Sequence, residues 1–114
     1  MSDEPTIEEE IVEKGLTAPR ITEADCLKKI TEVEYHVFPG SCLTICNMTL
    51  QNGFNVTGES ACASPENFDV EIGRRIAYRN AFSKIWMLEG YLLKQNLYAD
   101  RNFDQDIKRK IDND

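Results

Sequence analysis

Residues 42–60 read CLTICNMTLQNGFNVTGES, and this stretch decides the fold. The first run, 42–50, is rich in β-branched and apolar residues, and a second run, FNVTGES at 54–60, follows it. Between them stands Asn52-Gly53, a strong hairpin signal, because the tightest hairpin turns need positive φ at both central positions. A two-residue turn there pairs Gln51 with Phe54 and Thr49 with Val56. Leu43, Ile45, Phe54 and Val56 then share one face, and Cys46, Met48 and Leu50 the other. Neither face is purely polar, so the reading allows a sheet covered on both sides. A hairpin alone is marginal in water, so other elements must pack on it.

Working outward, Ser64, Pro65 and Glu66 carry the marks of a helix start: a capping hydroxyl, proline at the first position and an acid in the first turn. From there FDVEIGRRIAYRNAFSKIWMLEG has helical periodicity. Gly73, Ala77, Ala81, Ile85 and Leu88 form a stripe of mostly small residues that predicts close packing on the sheet or on another helix. Gly90 leaves two readings, a break near 87–90 or one long kinked helix running on through YLLKQNLY. Upstream, Thr22 with Asp25 resembles a capping box, and Leu27, Ile30, Val33 and Val37 recur at helical spacing. This predicts a short amphipathic helix over 23–36, stopped by Phe38, Pro39 and Gly40. The fold class expected is α+β, a small antiparallel sheet built on a hairpin and packed with two or three α-helices.

The chain has 114 residues, enough for one domain. Its net charge of −7 is uneven: residues 1–14 hold −5 of it, and residues 35–98 are neutral. Residues 1–20 are therefore expected to be a disordered acidic arm, residues 21–98 a single α+β domain, and residues 99–114 a polar tail or frayed helix. The acidity argues against binding a nucleic-acid polymer, which requires a basic face. No apolar run is long enough to span a membrane, and no secretory leader is visible. Cys26, Cys42, Cys46 and Cys62 lack the CxxC spacing of zinc sites, and His36 is the single histidine. Free thiols, no metal, no cofactor and no catalytic set are the expectation. The apolar residues between 85 and 97 occupy every side of a helix, which in a small domain predicts a homo-oligomer.

The one concentration of ligand-binding chemistry is Arg75, Tyr78, Arg79, Asn80, Phe82 and Trp86. Positions 75, 79, 82 and 86 fall on one helix face. Guanidinium groups grip phosphate oxygens and aromatic rings stack on bases, so this face suits a phosphorylated nucleotide ligand. The competing reading is a solvated arginine face beside core aromatics. No glycine-rich phosphate loop is present.

The string from Pro39 to Leu93, above all NGFNVTGESACASPENFD with IWMLEGYLL, resembles a family of small tailed-phage proteins named by gene-product numbers 49 and 66. The resemblance covers about half the chain; Met87 stands where the family pattern has proline. It implies a phage or prophage protein acting in the host bacterial cytoplasm, with no catalytic residues to carry over. In size and outline the chain also resembles oligomeric sponges that sequester cyclic-ADP-ribose-type signals, the Thoeris anti-defence proteins. The expectation from this resemblance is a non-enzymatic accessory protein that sequesters a nucleotide signal of host defence. The alternative is an inhibitor or structural accessory protein that binds other proteins through the acidic arm and the apolar 85–97 surface.

Overall fold

A computed structural model describes residues 4–112. Its elements, in chain order, are helix α1 (Ile7–Glu13), helix α2 (Glu23–Lys29), strands β1 (Ile30–Val37), β2 (Thr44–Leu50) and β3 (Asn55–Ser60), a 3-10 turn (Pro65–Asn67) and helix α3 (Val70–Asp112). The three strands form one antiparallel meander in the order β1-β2-β3. The architecture is the expected small α+β fold, with α3 laid across one face of the sheet.

The hairpin is present, but its turn is longer than expected by one residue. Met48 pairs with Val56 and Thr49 with Asn55, not Thr49 with Val56. Gly53 alone in the turn has positive φ (86°), while Asn52 does not. A two-residue turn with positive φ at both centres is thereby excluded, and a three-residue loop closed by a left-handed glycine takes its place. Gly53 N–H donates to the Leu50 carbonyl at 2.8 Å, and Phe54 N–H to Asn52 Oδ1 at 3.0 Å. A one-residue slip flips side chains to the other face. Val56 therefore joins Cys46, Met48 and Leu50 in the core, rather than Leu43 and Ile45. The outer face is polar, with Asn55 Nδ2 donating to Asn47 Oδ1 and Thr49 Oγ1.

The expected 23–36 helix is corrected to a helix of seven residues followed by a strand. The capping box holds as read: Thr22 Oγ1 accepts from Asp25 N–H, and Asp25 Oδ2 from Thr22 N–H. Past Lys29, Val33, Tyr35 and Val37 alternate with polar residues, and this period of two outweighs the i, i+3 coincidence. Val33 lies opposite Met48 and Tyr35 opposite Cys46, so β1 contributes to the core side of the sheet.

Hydrogen bonding from Thr22 holds the Asp25 carboxyl below the usual carboxylate range. A depressed carboxylate stabilises the fold above its unfolded pKa and loses that contribution as pH falls through the folded pKa. Asp25→Ala is expected to lower the melting temperature at pH 7. The gap to the parent should shrink below about pH 4. Melts at pH 7 and pH 3 check this; a gap that does not change with pH would refute it.

Ser64 and Pro65 open only the 3-10 turn, and the Ser64 side chain makes no capping hydrogen bond. The long helix starts instead at Val70, where Asp69 Oδ1 accepts from Ile72 N–H at 2.8 Å. It then runs without interruption for 43 residues, a rod of roughly 65 Å. Gly73, Ala77, Ala81 and Ile85 are buried against the sheet, as the stripe predicts, whereas Leu88 is exposed. The close approach is at Gly58: a Cβ there would lie 2.2 Å from the Ala77 carbonyl oxygen and from Ala81 N. Neither break nor stop occurs at Gly90, which touches nothing beyond its own helix. A glycine within a helix costs about 1 kcal/mol relative to alanine. Gly90→Ala is therefore expected to raise the melting temperature by roughly 4 °C, read by circular dichroism; an unchanged or lower value would contradict it.

Residues 99–112, expected as tail or frayed helix, continue α3 away from the sheet. The projection gives the described residues extents of 74 × 38 × 23 Å. Within the acidic stretch expected to lack structure, α1 forms, capped by Thr6, which accepts from Glu9 N–H. Arg20 ties it to the domain with two hydrogen bonds to Glu8, at 2.6 and 2.5 Å.

Candidate nucleotide-binding groove

Helix α2 packs beside α3, and the seam between them is a groove of about 410 Å³. Two turns of α2 supply Glu23 and Leu27. Helix α3 supplies Arg75, Tyr78, Arg79, Phe82, Ser83 and Trp86. The i, i+3, i+4 spacing of the α3 residues puts them on one face, and burial of Ala77, Ala81 and Ile85 on the sheet turns that face toward α2. Five of the six residues singled out from the sequence meet here.

The aromatic side is ordered. Tyr78 and Phe82 stack with centroids 6.0 Å apart and planes within 9°. Trp86 is 39% exposed and closes one end. The cationic side is open. Arg75 reaches Glu71 at only 3.6 Å, and both side chains are mostly in solvent. Exposed pairs of this kind contribute little, so the guanidinium can exchange partners readily. Arg79 has no hydrogen bond or ion pair among the described residues. Glu23 is the one acid on the lining; a carboxylate suits sugar hydroxyls and opposes phosphate.

Asn80 departs from the expected set. Its side-chain amide donates to the Glu59 carbonyl at 2.8 Å, fixing α3 to the end of β3. It is a structural residue, outside the groove. Arg74, adjacent in sequence to Arg75, is also placed elsewhere, with its guanidinium 5.3 Å from the centroid of the Tyr35 ring. Glu23, Leu27 and Ser83 were not singled out from the sequence. Glu23 and Leu27 enter through helix packing, which no local motif encodes.

The groove opens through Glu23, Leu27 and Trp86 into a wider one of about 890 Å³. Ile7, Ile11 and Arg20 bring the N-terminal segment to its lining, with Ile21. Arg20 spends two of its N–H donors on Glu8, and that pairing holds the Glu8 carboxyl below its usual range.

No group of three or more histidine, cysteine or acidic side chains that could hold a metal ion occurs among the described residues. No helix among them is long and apolar enough to cross a membrane. No solved structure and no curated protein matches the sequence. Residues 21–97, two thirds of the chain and including all three strands, α2 and most of α3, match the sequence profile of a phage protein family. The chain thus belongs to the phage protein family described as N4 Gp49/phage Sf6 gene 66.

Proposed function

We propose that this phage protein binds a host-defence nucleotide signal of the cyclic-ADP-ribose type and sequesters it without turnover, acting in the host bacterial cytoplasm. The observation that carries the reading is the groove, in which Arg79, without a partner among the described residues, and a weakly held Arg75 stand beside the stacked Tyr78–Phe82 pair and Trp86. Its volume is within the range of small-ligand sites. Phosphate oxygens would lie on the two guanidiniums, the base on Phe82 or Trp86, and the Tyr78 hydroxyl would orient the ligand. Glu23 would accept from ribose hydroxyls. Binding, then, would need no general acid, nucleophile or metal.

The test is retention and release. The protein is mixed with cyclic ADP-ribose, passed through a desalting column, then heat-denatured. The expected result is ligand that travels with the protein and is recovered intact. Absence of retention, or recovery of a cleaved product, overturns the proposal.

A second reading is favoured by a separate observation. Met87 is 68% and Tyr91, one turn on, 72% exposed, and Leu92 and Leu97 are open on other sides of the helix. Large apolar side chains left in solvent along a helix mark interaction surfaces. In this reading the 85–97 surface, with the acidic arm, docks on a host protein; the same surface would serve a homo-oligomer. Met87→Glu with Tyr91→Glu, two exposed positions outside the groove, separates the readings: loss of activity supports docking, and unchanged activity supports the groove.

A further inference from the structure

Two of the four cysteines face each other at the open end of the hairpin. The β2–β3 register pairs Thr44 with Ser60. Continued two residues outward, it sets Cys42 opposite Cys62. Antiparallel partners have Cα atoms about 4.5–5.5 Å apart, within the span that a disulfide bridges. Both thiols are partly exposed. They line the same open cavity of about 420 Å³, together with Leu43, Ala61, Pro65 and Phe68. The Cys62 thiol donates to the Ser64 carbonyl at 3.3 Å. A hydrogen bond with Cys62, added to desolvation, pushes the Cys42 thiol above its ordinary pKa.

Cys26 and Cys46 differ from this pair in access. Both are fully buried in the core, and burial pushes each thiol upward. Access limits reaction with a reagent, so the core pair is protected and the surface pair is open.

We infer that Cys42 and Cys62 form a redox-sensitive dithiol that closes into an intramolecular cross-strand disulfide when the protein meets a small-molecule disulfide such as oxidised glutathione. One thiolate attacks a sulfur of the reagent, forming a mixed disulfide and expelling one thiolate. The second cysteine thiolate then attacks the protein sulfur, closing the bridge and expelling the other. Two protein thiols are oxidised, one reagent disulfide is reduced to two thiols, and the two cysteine protons end on those products. The closed bridge joins Cys42, at the end of the loop between β1 and β2, to Cys62 ahead of the 3-10 turn. It fixes the end of the hairpin that lies against the start of α3.

The full chain is incubated with oxidised glutathione at pH 8, alkylated and digested. The expected result is one linked pair of peptides carrying Cys42 and Cys62, with Cys26 and Cys46 alkylated only after unfolding. The bridged form should melt at least about 5 °C higher than the reduced form and return to it with dithiothreitol. Cys42→Ser should arrest the reaction at a glutathione adduct on Cys62. Four thiols still free after oxidation, a bridge between other cysteines, or a purely intermolecular bridge would overturn the inference.

Discussion

Gly58→Ala is expected to destabilise this protein strongly. Gly58 lies in β3 directly beneath α3, and its absent side chain is what lets the helix rest on the sheet. An alanine Cβ would sit 2.2 Å from both the Ala77 carbonyl oxygen and Ala81 N, and 2.8 Å from the Asn80 carbonyl carbon. These are backbone atoms in the middle of a helix, so no rotamer change relieves the clash. The helix must move outward by more than an ångström. That motion would unpack Ala77, Ala81 and Ile85 from Cys46, Met48 and Val56, most of the core. Overpacking of side chains costs about 1–3 kcal/mol, and a backbone clash belongs at or above the upper end. A loss of roughly 3 kcal/mol corresponds to a melting temperature lower by about 15 °C. Gly58→Val should be worse and accumulate in the insoluble fraction. Circular dichroism melts decide the matter; an alanine variant melting within a few degrees of the parent would mean that α3 does not press on β3.

This contact also shows what could be read from the sequence and what could not. The small-residue stripe at 73, 77 and 81 announces a close neighbour through its spacing alone. That the neighbour is the β3 backbone at Gly58 depends on the hairpin register, which one extra loop residue shifts. Asn52-Gly53 marks the turn correctly but does not fix its length, because glycine satisfies one left-handed position as readily as it completes a pair. Similarly, Ile30, Val33 and Val37 fit a helix by spacing and a strand by composition. Pairing of β1 with β2, a non-local event, decides between them. Along 99–112 there is almost nothing to bury, so periodicity predicts only a turn or two. The helix persists there as an extension of a segment already nucleated on the sheet, with Arg109 and Lys110 favourably placed in its last turn. The groove residues of α3 are legible because they belong to one helix and four-residue spacing is local. Asn80, in the midst of them, points toward β3 because helix geometry puts it about 100° from Arg79.

That divergence between neighbours gives the second large expected effect. Replacing Arg75 and Arg79 together by alanine should abolish retention of cyclic ADP-ribose while leaving the fold intact. Both side chains are exposed; Arg79 has no protein partner among the described residues, and Arg75 gives up only the loose contact with Glu71. Their removal should shift the melting temperature by less than about 2 °C, as for surface substitutions generally. On the ligand side, each charge-assisted contact to phosphate is worth about 1.5–3 kcal/mol. Loss of two would weaken binding by at least about 100-fold. Phe82→Ala should weaken it by roughly 10-fold through lost stacking, with some loss of stability because Phe82 also packs against the core. Asn80→Ala should do the opposite of the arginine pair. It removes the 2.8 Å hydrogen bond to Glu59 that anchors the helix. It should therefore lower the melting temperature by several degrees and leave ligand retention unchanged. Isothermal titration and thermal melts on the four proteins separate the two roles. If the arginine variant retains ligand as well as the parent, the groove is not the binding site. If Asn80→Ala loses ligand at full stability, the division between groove and anchor is wrong.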